Sequence, residues 1–349
     1  MPEFKHILVT GGAGFIGANF VRFVLGERPE LRVTNVDALT YSGNLDNLEG
    51  LGDDPRYRFV LADICDAGAI EPLVADADAV IHMAAESHVD RSIEDASPFI
   101  RTNVVGTQVL LDAARRTWGD ESNRRFLYVS TDEVYGSLPL DDRSLKFTEE
   151  TPFAPNSPYA ASKGAGDMLV RAYHHTFGLP TLTTRCSNNF GPYQFPEKVI
   201  PIFVTNLLDG ARVPLYGDGR NIRDWLHVLD HCEAILTVLE RGAPGEAYNV
   251  GGNNERSNLE LTRLILEIMD EGEDRIERVP DRLGHDLRYA IDASKIERDL
   301  GWRPTRSAWP DALRETIDWY IDHATWWRRV KSGAYRSQGD APGGRRASA

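Results

Sequence analysis

The chain has 349 residues, 42% of them hydrophobic and 26% charged, which suits two domains or one enlarged domain with a full core. Its 39 Lys and Arg against 53 Asp and Glu give a net charge of −14, which argues against broad binding to nucleic acid or to an anionic membrane, since both need a basic face. Three scattered cysteines without a C-x-x-C, and nine histidines without ligand spacing, point away from a disulfide framework and from any metal site.

No apolar run reaches the ~18 residues of a membrane span. The opening Met-Pro-Glu-Phe-Lys-His lacks a hydrophobic leader and runs straight into a strand, so a cytoplasmic protein is expected. His6 to Thr10 reads as a short buried strand, followed by glycines and a helix from Phe15 to Leu25. Further strands are expected at Val33–Val36, ending on Asp37, then at 57–61, 79–83 and 126–130. The clearest helix spans Pro98 to Trp118, with Ile100, Val104, Thr107, Leu111 and Ala114 on one face. Strands alternating with helices predict an α/β fold, a doubly wound parallel sheet whose ligands bind beyond the C-terminal strand ends. Past Arg185 the composition changes. Residues 186–224, rich in Asn, Pro and Gly, read as a loop-built ligand surface. Ala247 to Gly252 reads as one more strand and turn, 253–305 as a small lid domain, and Trp302 to Tyr320 as a returning amphipathic helix. The stretch 338–349 has little to bury and is expected to be a disordered tail.

Gly11-Gly12-Ala13-Gly14-Phe15-Ile16-Gly17 follows the first strand and opens a helix. Such spacing permits a tight turn and close approach of a pyrophosphate to the helix N-terminus. Asp37, 20 residues beyond Gly17, ends the second strand, where a carboxylate accepts bonds from ribose hydroxyls and repels a 2′-phosphate, favouring NAD over NADP. Asp63 and Ile64 end the next strand, where they would meet the adenine.

Ser157-Pro158 caps a helix that places Tyr159 and Lys163 at i and i+4 on one face. A tyrosine acting as a base near neutrality needs its pKa lowered by about three units from ~10, which a close ammonium and an oxidised nicotinamide together supply. Thr131-Asp132-Glu133 stands at the end of the fifth strand. Two neighbouring carboxylates divide acid and base work if their surroundings separate their pKa values. Consecutive strand residues face opposite ways, so the backbone must leave strand geometry at Thr131 for both to reach one substrate.

On these segments, with AAESHVDRS, TDEVYG, SPYAASK and RCSNNFGPYQFPEK among them, the sequence resembles the extended short-chain dehydrogenase/reductase superfamily and, within it, the dTDP-glucose 4,6-dehydratase family, over roughly residues 5 to 337. The resemblance implies a Rossmann-like NAD-binding domain over 1–187, with returning segments at about 225–250 and 306–325, and a smaller nucleotide-sugar domain over 188–224 and 251–305. It implies that Tyr159 takes the proton of the sugar C4 hydroxyl as hydride passes to NAD, with Lys163 lowering the tyrosine pKa and holding the nicotinamide ribose. Glu133 then removes the C5 proton, Asp132 protonates the departing C6 hydroxyl, Thr131 orients the C4 oxygen, and hydride returns to C6. By the same resemblance, NAD would also touch Phe15, Ile16, Ala38, Leu39, Thr40, Met83, Ala84, Ala85, Glu86, Ser87, Thr102 and Asn189. Substrate contacts would fall on Ser87, Asn188, Lys198, Val199, Pro214, Leu215, Tyr216, Arg223, Asn258, Asp281, Arg282, Gly284, His285 and Tyr289. Leu283 stands where the family usually has proline, which frees a backbone φ and restores an N–H. A homodimer built on a four-helix contact, from helices 98–118 and 159–177 (Ala165, Leu169 and Ala172), is implied as well.

Two rival functions remain at this stage. An NAD-dependent nucleotide-sugar 4-epimerase or decarboxylase shares the glycine and Tyr/Lys motifs but has no need of the acid pair. A non-catalytic NAD-binding regulator would have no need of Tyr159 and Lys163.

Overall fold

The computed structural model describes residues 4–119, 123–281 and 285–338, so Arg282, Leu283, Gly284 and the tail from 339 onward lie outside the described residues. The chain alternates from the start: β1 (His6–Thr10), α1 (Phe15–Glu27), β2 (Arg32–Asp37), β3 (Tyr57–Leu61), α2 (Ala67–Asp76) and β4 (Ala79–His82). Two short helices, α3 (Val89–Glu94) and α4 (Ser97–Phe99), lead through a π-helical stretch, Ile100–Gly106, into α5 (Thr107–Trp118). Next come β5 (Arg125–Thr131), a 3-10 turn over Asp132–Tyr135, α6 (Pro158–Phe177) and β6 (Thr181–Cys186). The second half holds β7 (Asn188–Phe190), α7 (Val199–Leu208), β8 (Val213–Tyr216), β9 (Ile222–His227), α8 (Val228–Arg241) and β10 (Ala247–Val250). It closes with β11 (Glu255–Ser257), α9 (Asn258–Ile268), β12 (Ile276–Val279), α10 (Ser294–Leu300), α11 (Asp311–Asp322) and α12 (Ala324–Lys331).

Seven strands form one sheet in the order β10-β6-β5-β4-β1-β2-β3, all parallel. Parallel neighbours need crossovers, and the helices that supply them cover both faces. On one face, Phe20, Val21 and Val24 of α1 pack with Ile235 and Val238 of α8. On the other, Ile70 and Val74 of α2 pack with Leu110, Leu111 and Ala114 of α5 and Val170 of α6. This is the doubly wound Rossmann-like fold expected, with strand order reversing between β1 and β4, where a crevice must open.

A second core gathers α7, α9, α11 and α12 around Phe203, Ile265, Leu313, Ile317 and Trp327, beside small sheets β11-β9-β7 and β12-β8. Several expectations give way here. Residues 186–224 are not loop-built, since they carry β7, α7, β8 and the first half of β9. The returning helix begins at Asp311 rather than Trp302, because Pro304 and Pro310 lie in the intervening stretch, and proline supplies no backbone N–H. Ala312, Leu313 and Ile317 of the 306–325 segment join the second core, whereas Ala293, Ile296, Leu300 and Trp302, expected in the smaller domain, pack against the main sheet.

The stretch 97–118 is helical but changes pitch. Its π-helical part puts Asn103 and Gly106 inside and leaves Ile100 and Val105 exposed, so the buried stripe read from regular spacing slips out of phase. Asn103 holds this segment: its side chain accepts from Glu86 N at 2.9 Å and donates to Glu86 O at 3.0 Å and to Ser162 Oγ at 2.8 Å.

Candidate active site

A cleft of about 480 Å³ opens at the C-terminal ends of the main sheet, where the strand order reverses. Gly11, Gly14, Phe15, Ile16 and Gly17 form one wall. Gly11 has φ +76°, and a Cβ there would meet Ala84 N at 2.6 Å, while a Cβ on Gly17 would meet Gly11 O at 2.2 Å, so both positions demand glycine. A Cβ on Gly14 would meet only Gly11 O at 3.3 Å, and no side chain caps the helix it begins. The first-turn N–H groups of α1 therefore face the cleft without partners along the helix, as an anionic pyrophosphate requires. Asp37 is buried at the end of β2 and lines the cleft. It accepts from Ala13 N at 2.9 Å and Leu39 N at 2.8 Å, and each oxygen retains a second lone pair for a ribose hydroxyl. These features fit an NAD molecule.

Ala38, Thr40, Asp63, Ile64, Met83, Ala84, Ala85, Ser87, Thr102, Asn188, Asn189 and Lys198 also line the cleft, as do Thr131, Asp132, Glu133, Tyr159 and Lys163. Leu39 and Glu86 stand behind it: Leu39 has φ +50° and turns the chain below Asp37, and Glu86 is clasped by Asn103. Chain placement explains why the catalytic groups meet. Ser157 Oγ accepts from Ala160 N at 3.1 Å and Pro158 occupies the first turn, so α6 starts where Tyr159 and Lys163 both point under the sheet end. β5 stops at Thr131, whose hydroxyl accepts from Glu133 N at 3.3 Å, and the following 3-10 turn brings Asp132 and Glu133 to the same cleft.

The two acids sit in unlike surroundings. Asp132 is 2% exposed and its Oδ2 has no hydrogen-bond partner. Burial, then the charges of Glu133 and Asp224, hold its pKa well above the usual carboxylate range, against a smaller opposing pull from Arg223. Its surroundings favour the neutral, proton-bearing form.

Tyr159 and Lys163 depart from expectation in the chain alone. Burial, followed by the Glu133 carboxylate, pushes the Tyr159 phenol well above 10. Lys163 donates to Val129 O at 2.7 Å and lies 4.2 Å over the Tyr128 ring, and burial brings its pKa down to about 8. One of its three N–H donors is given to the strand end, which leaves two for a ligand. Lowering the phenol thus falls to groups that join the site with the ligand.

Among the described residues, the remaining expected substrate positions lie outside the cleft lining. Arg223 donates to Ile222 O at 2.7 Å and Asp286 O at 3.0 Å and lies 4.3 Å over the Tyr289 ring, and the Tyr289 hydroxyl donates to Asp286. Asp281 and His285 pair at 2.7 Å beside Gly217, which follows Tyr216 at the end of β8. Pro214 and Leu215 lie within β8, and Leu215 is 1% exposed, so its side chain packs inward rather than toward a ligand. Asn258 and Val199 open α9 and α7.

Several lining residues escaped the sequence reading: Ser130, Cys186, Ser187, Gln194 and Glu197. Burial raises Glu197 to about 7, and His88 Nε2 stands 3.4 Å from it. For all but Ser130 the signal lay in the CSNN and QFPEK segments, which mark the region without saying which side chains turn inward. Among the described residues no group of three His, Cys, Asp or Glu is placed to hold a metal, and no helix is long and apolar enough to cross a membrane.

A seven-stranded parallel sheet, a glycine turn at its reversal point, and Tyr159 and Lys163 on a helix beside it define an extended short-chain dehydrogenase/reductase. The chain belongs to the GDP-mannose 4,6 dehydratase family, whose model matches residues 8–314, and within it stands with the dTDP-glucose 4,6-dehydratases. A dTDP-glucose 4,6-dehydratase of Streptomyces niveus is 53% identical over 342 residues, covering 96% of this chain and 99% of its own. The dTDP-glucose 4,6-dehydratase DesIV of Streptomyces venezuelae, solved with NAD and dTDP bound, superposes with a TM-score of 0.88 at 51% identity, covering 93% of this chain and 99% of its own. The UDP-glucose 4-epimerase of Thermotoga maritima shares the fold at a TM-score of 0.81 but only 28% identity, covering 91% of this chain and 99% of its own.

Proposed function

We propose that this chain is an NAD-dependent dTDP-glucose 4,6-dehydratase, converting dTDP-glucose to dTDP-4-keto-6-deoxy-glucose and water. The observation that carries this reading is the buried, high-pKa Asp132 beside Glu133 in the same cleft as Tyr159 and Lys163. Elimination needs a proton donor and a proton acceptor on one substrate, and a 4-epimerase needs neither.

Bound NAD supplies the hydride acceptor at C4 and the hydride donor at C6. The glycine turn and Asp37 hold its pyrophosphate and adenosine ribose, and Lys163 reaches its nicotinamide ribose. Tyr159, made a base when cationic charge joins the site, takes the C4 hydroxyl proton while Thr131 orients that oxygen. The ketone formed acidifies C5. Glu133 removes the C5 proton, and Asp132 gives its proton to the C6 hydroxyl, which leaves as water. Ser87, Asn188 and Lys198 face the sugar from the cleft, and Lys198 is already placed with its ammonium donating to Ser87 O at 3.3 Å. Arg223, Asp281 and His285 hold the nucleotide end, where Arg223's forked donors match a phosphate.

The protein is further read as a cytoplasmic homodimer, pairing the exposed side of Ile100 and Val105 with that of Met168 and Ala172. Incubation with dTDP-glucose is expected to yield the 4-keto-6-deoxy sugar. Galactose as the product would establish the epimerase instead, and absence of turnover would leave a regulator. Glu133→Gln is expected to abolish deuterium uptake at C5 from heavy water, and undiminished uptake refutes its role.

A further inference from the structure

The dehydratase reading leaves a proton imbalance between two residues. Over one turnover Glu133 takes the C5 proton and its site returns one to C5, so it ends unchanged. Tyr159 gains the C4 hydroxyl proton and keeps it, while Asp132 loses its proton to the departing water. Each cycle thus ends with Tyr159 one proton richer and Asp132 one poorer, in a buried site, and the next cycle needs the opposite.

We infer that the Thr131 hydroxyl is the reset path, carrying the proton from Tyr159 to Asp132 inside the protein. Its hydrogen bonds set the direction. Thr131 Oγ1 donates to Asp132 Oδ1 at 3.3 Å. One of its lone pairs takes the Glu133 N–H at 3.3 Å, leaving the second lone pair as the remaining acceptor position. Tyr159 and Thr131 line the same cleft, and the Thr131 hydroxyl is close enough to act on the phenol. In the transfer the Tyr159 O–H bond breaks and a bond forms to Thr131 Oγ1, while the original Thr131 O–H breaks and its proton bonds to Asp132 Oδ1. Two O–H bonds break, two form, and Thr131 ends neutral. Both ends drive it: cationic charge in the liganded site lowers the phenol, while an ionised Asp132 is buried, its Oδ2 has no partner, and Glu133 and Asp224 add negative charge. Solvent reaches that carboxyl poorly, so an internal route is the short one.

The role rests on the dehydratase reading and is separable from Thr131's orienting of the C4 oxygen. Orientation slows every turnover alike. The relay is needed only from the second turnover onward, because the first begins with Asp132 already protonated. Thr131→Val holoenzyme, mixed with excess dTDP-glucose and rapidly quenched, is expected to form one equivalent of product per site and then turn over about 10²-fold more slowly. Imidazole, a small proton carrier, should accelerate that slow phase and not the first turnover. Thr131→Ser keeps the hydroxyl and should show no such split, whereas Thr131→Ala should show it as Val does. First and later turnovers equally slow in both Val and Ala variants would overturn the relay, as would a slow phase indifferent to imidazole. A wild-type protein that forms no 4-keto-6-deoxy sugar would instead overturn the parent reading.

Discussion

The acid role proposed for Asp132 rests on where its side chain ends rather than on what it is. An exposed aspartate ionises near 3.9, but here water is excluded and two carboxylates stand nearby, so the neutral form is favoured. Asp132→Asn keeps the shape and loses the proton. C4 oxidation should continue while elimination falls by about 10² to 10⁴, so reduced nicotinamide accumulates in a rapid-mixing trace. A variant that turns over normally without that accumulation would remove the acid role. Lys163 gives the pH dependence its sign. Burial lowers it to about 8, so its ammonium is complete below that pH and lost as pH rises through it. The oxidation rate should fall across the same range. Lys163→Arg, which stays charged, should flatten that limb even at a lower absolute rate.

At the scale of elements, the site depends on contacts that hold β6, α6 and the catalytic turn in register. Arg185 of β6 donates to both Asp167 oxygens of α6, at 2.9 and 3.0 Å, and to the Tyr135 hydroxyl at 2.9 Å, with Tyr135 ending the turn that carries Asp132 and Glu133. Both members of the pair are buried. Asp167→Asn leaves a buried guanidinium without its counter-charge and should cost about 3–5 kcal/mol in urea unfolding. A loss under about 1 kcal/mol would show that the pair is dispensable. The glycine turn allows a sharper test. A methyl on Gly17 would collide with the backbone oxygen of Gly11 at 2.2 Å, an atom with no side-chain freedom to move aside. Gly17→Ala should therefore purify without NAD, and full cofactor content in that variant would contradict the close-approach argument.

Over the whole molecule, the first core flanks the main sheet and the second gathers α7, α9, α11 and α12. Electrostatics joins residues far apart in the chain: Arg223 acts on Asp132, and Glu133 on Tyr289. The outer surface carries its own signal. Ile100, Val105 and Met168 are 48%, 42% and 57% exposed on adjoining helices, which is unusual for large apolar side chains standing close together. Met168→Glu is expected to convert a dimeric mass to a monomeric one in light scattering, and a wild-type monomer would refute the contact.

The local features of this protein are written in short stretches of chain. The glycine turn, Asp37 at a strand end, the Ser157-Pro158 cap and the four-residue step from Tyr159 to Lys163 depend on backbone geometry within a few residues, so spacing alone determines them. Folding decided the rest. The π-helical shift in 100–106 follows from packing around Asn103 and Gly106, and no local period announces it. Residues 293–302 and 311–322 exchanged their expected partners because amphipathic faces specify that burial occurs, not against what. The proton affinities of Asp132, Tyr159 and Lys163 arise from excluded water and from charges distant in sequence, and these exist only once the chain is folded.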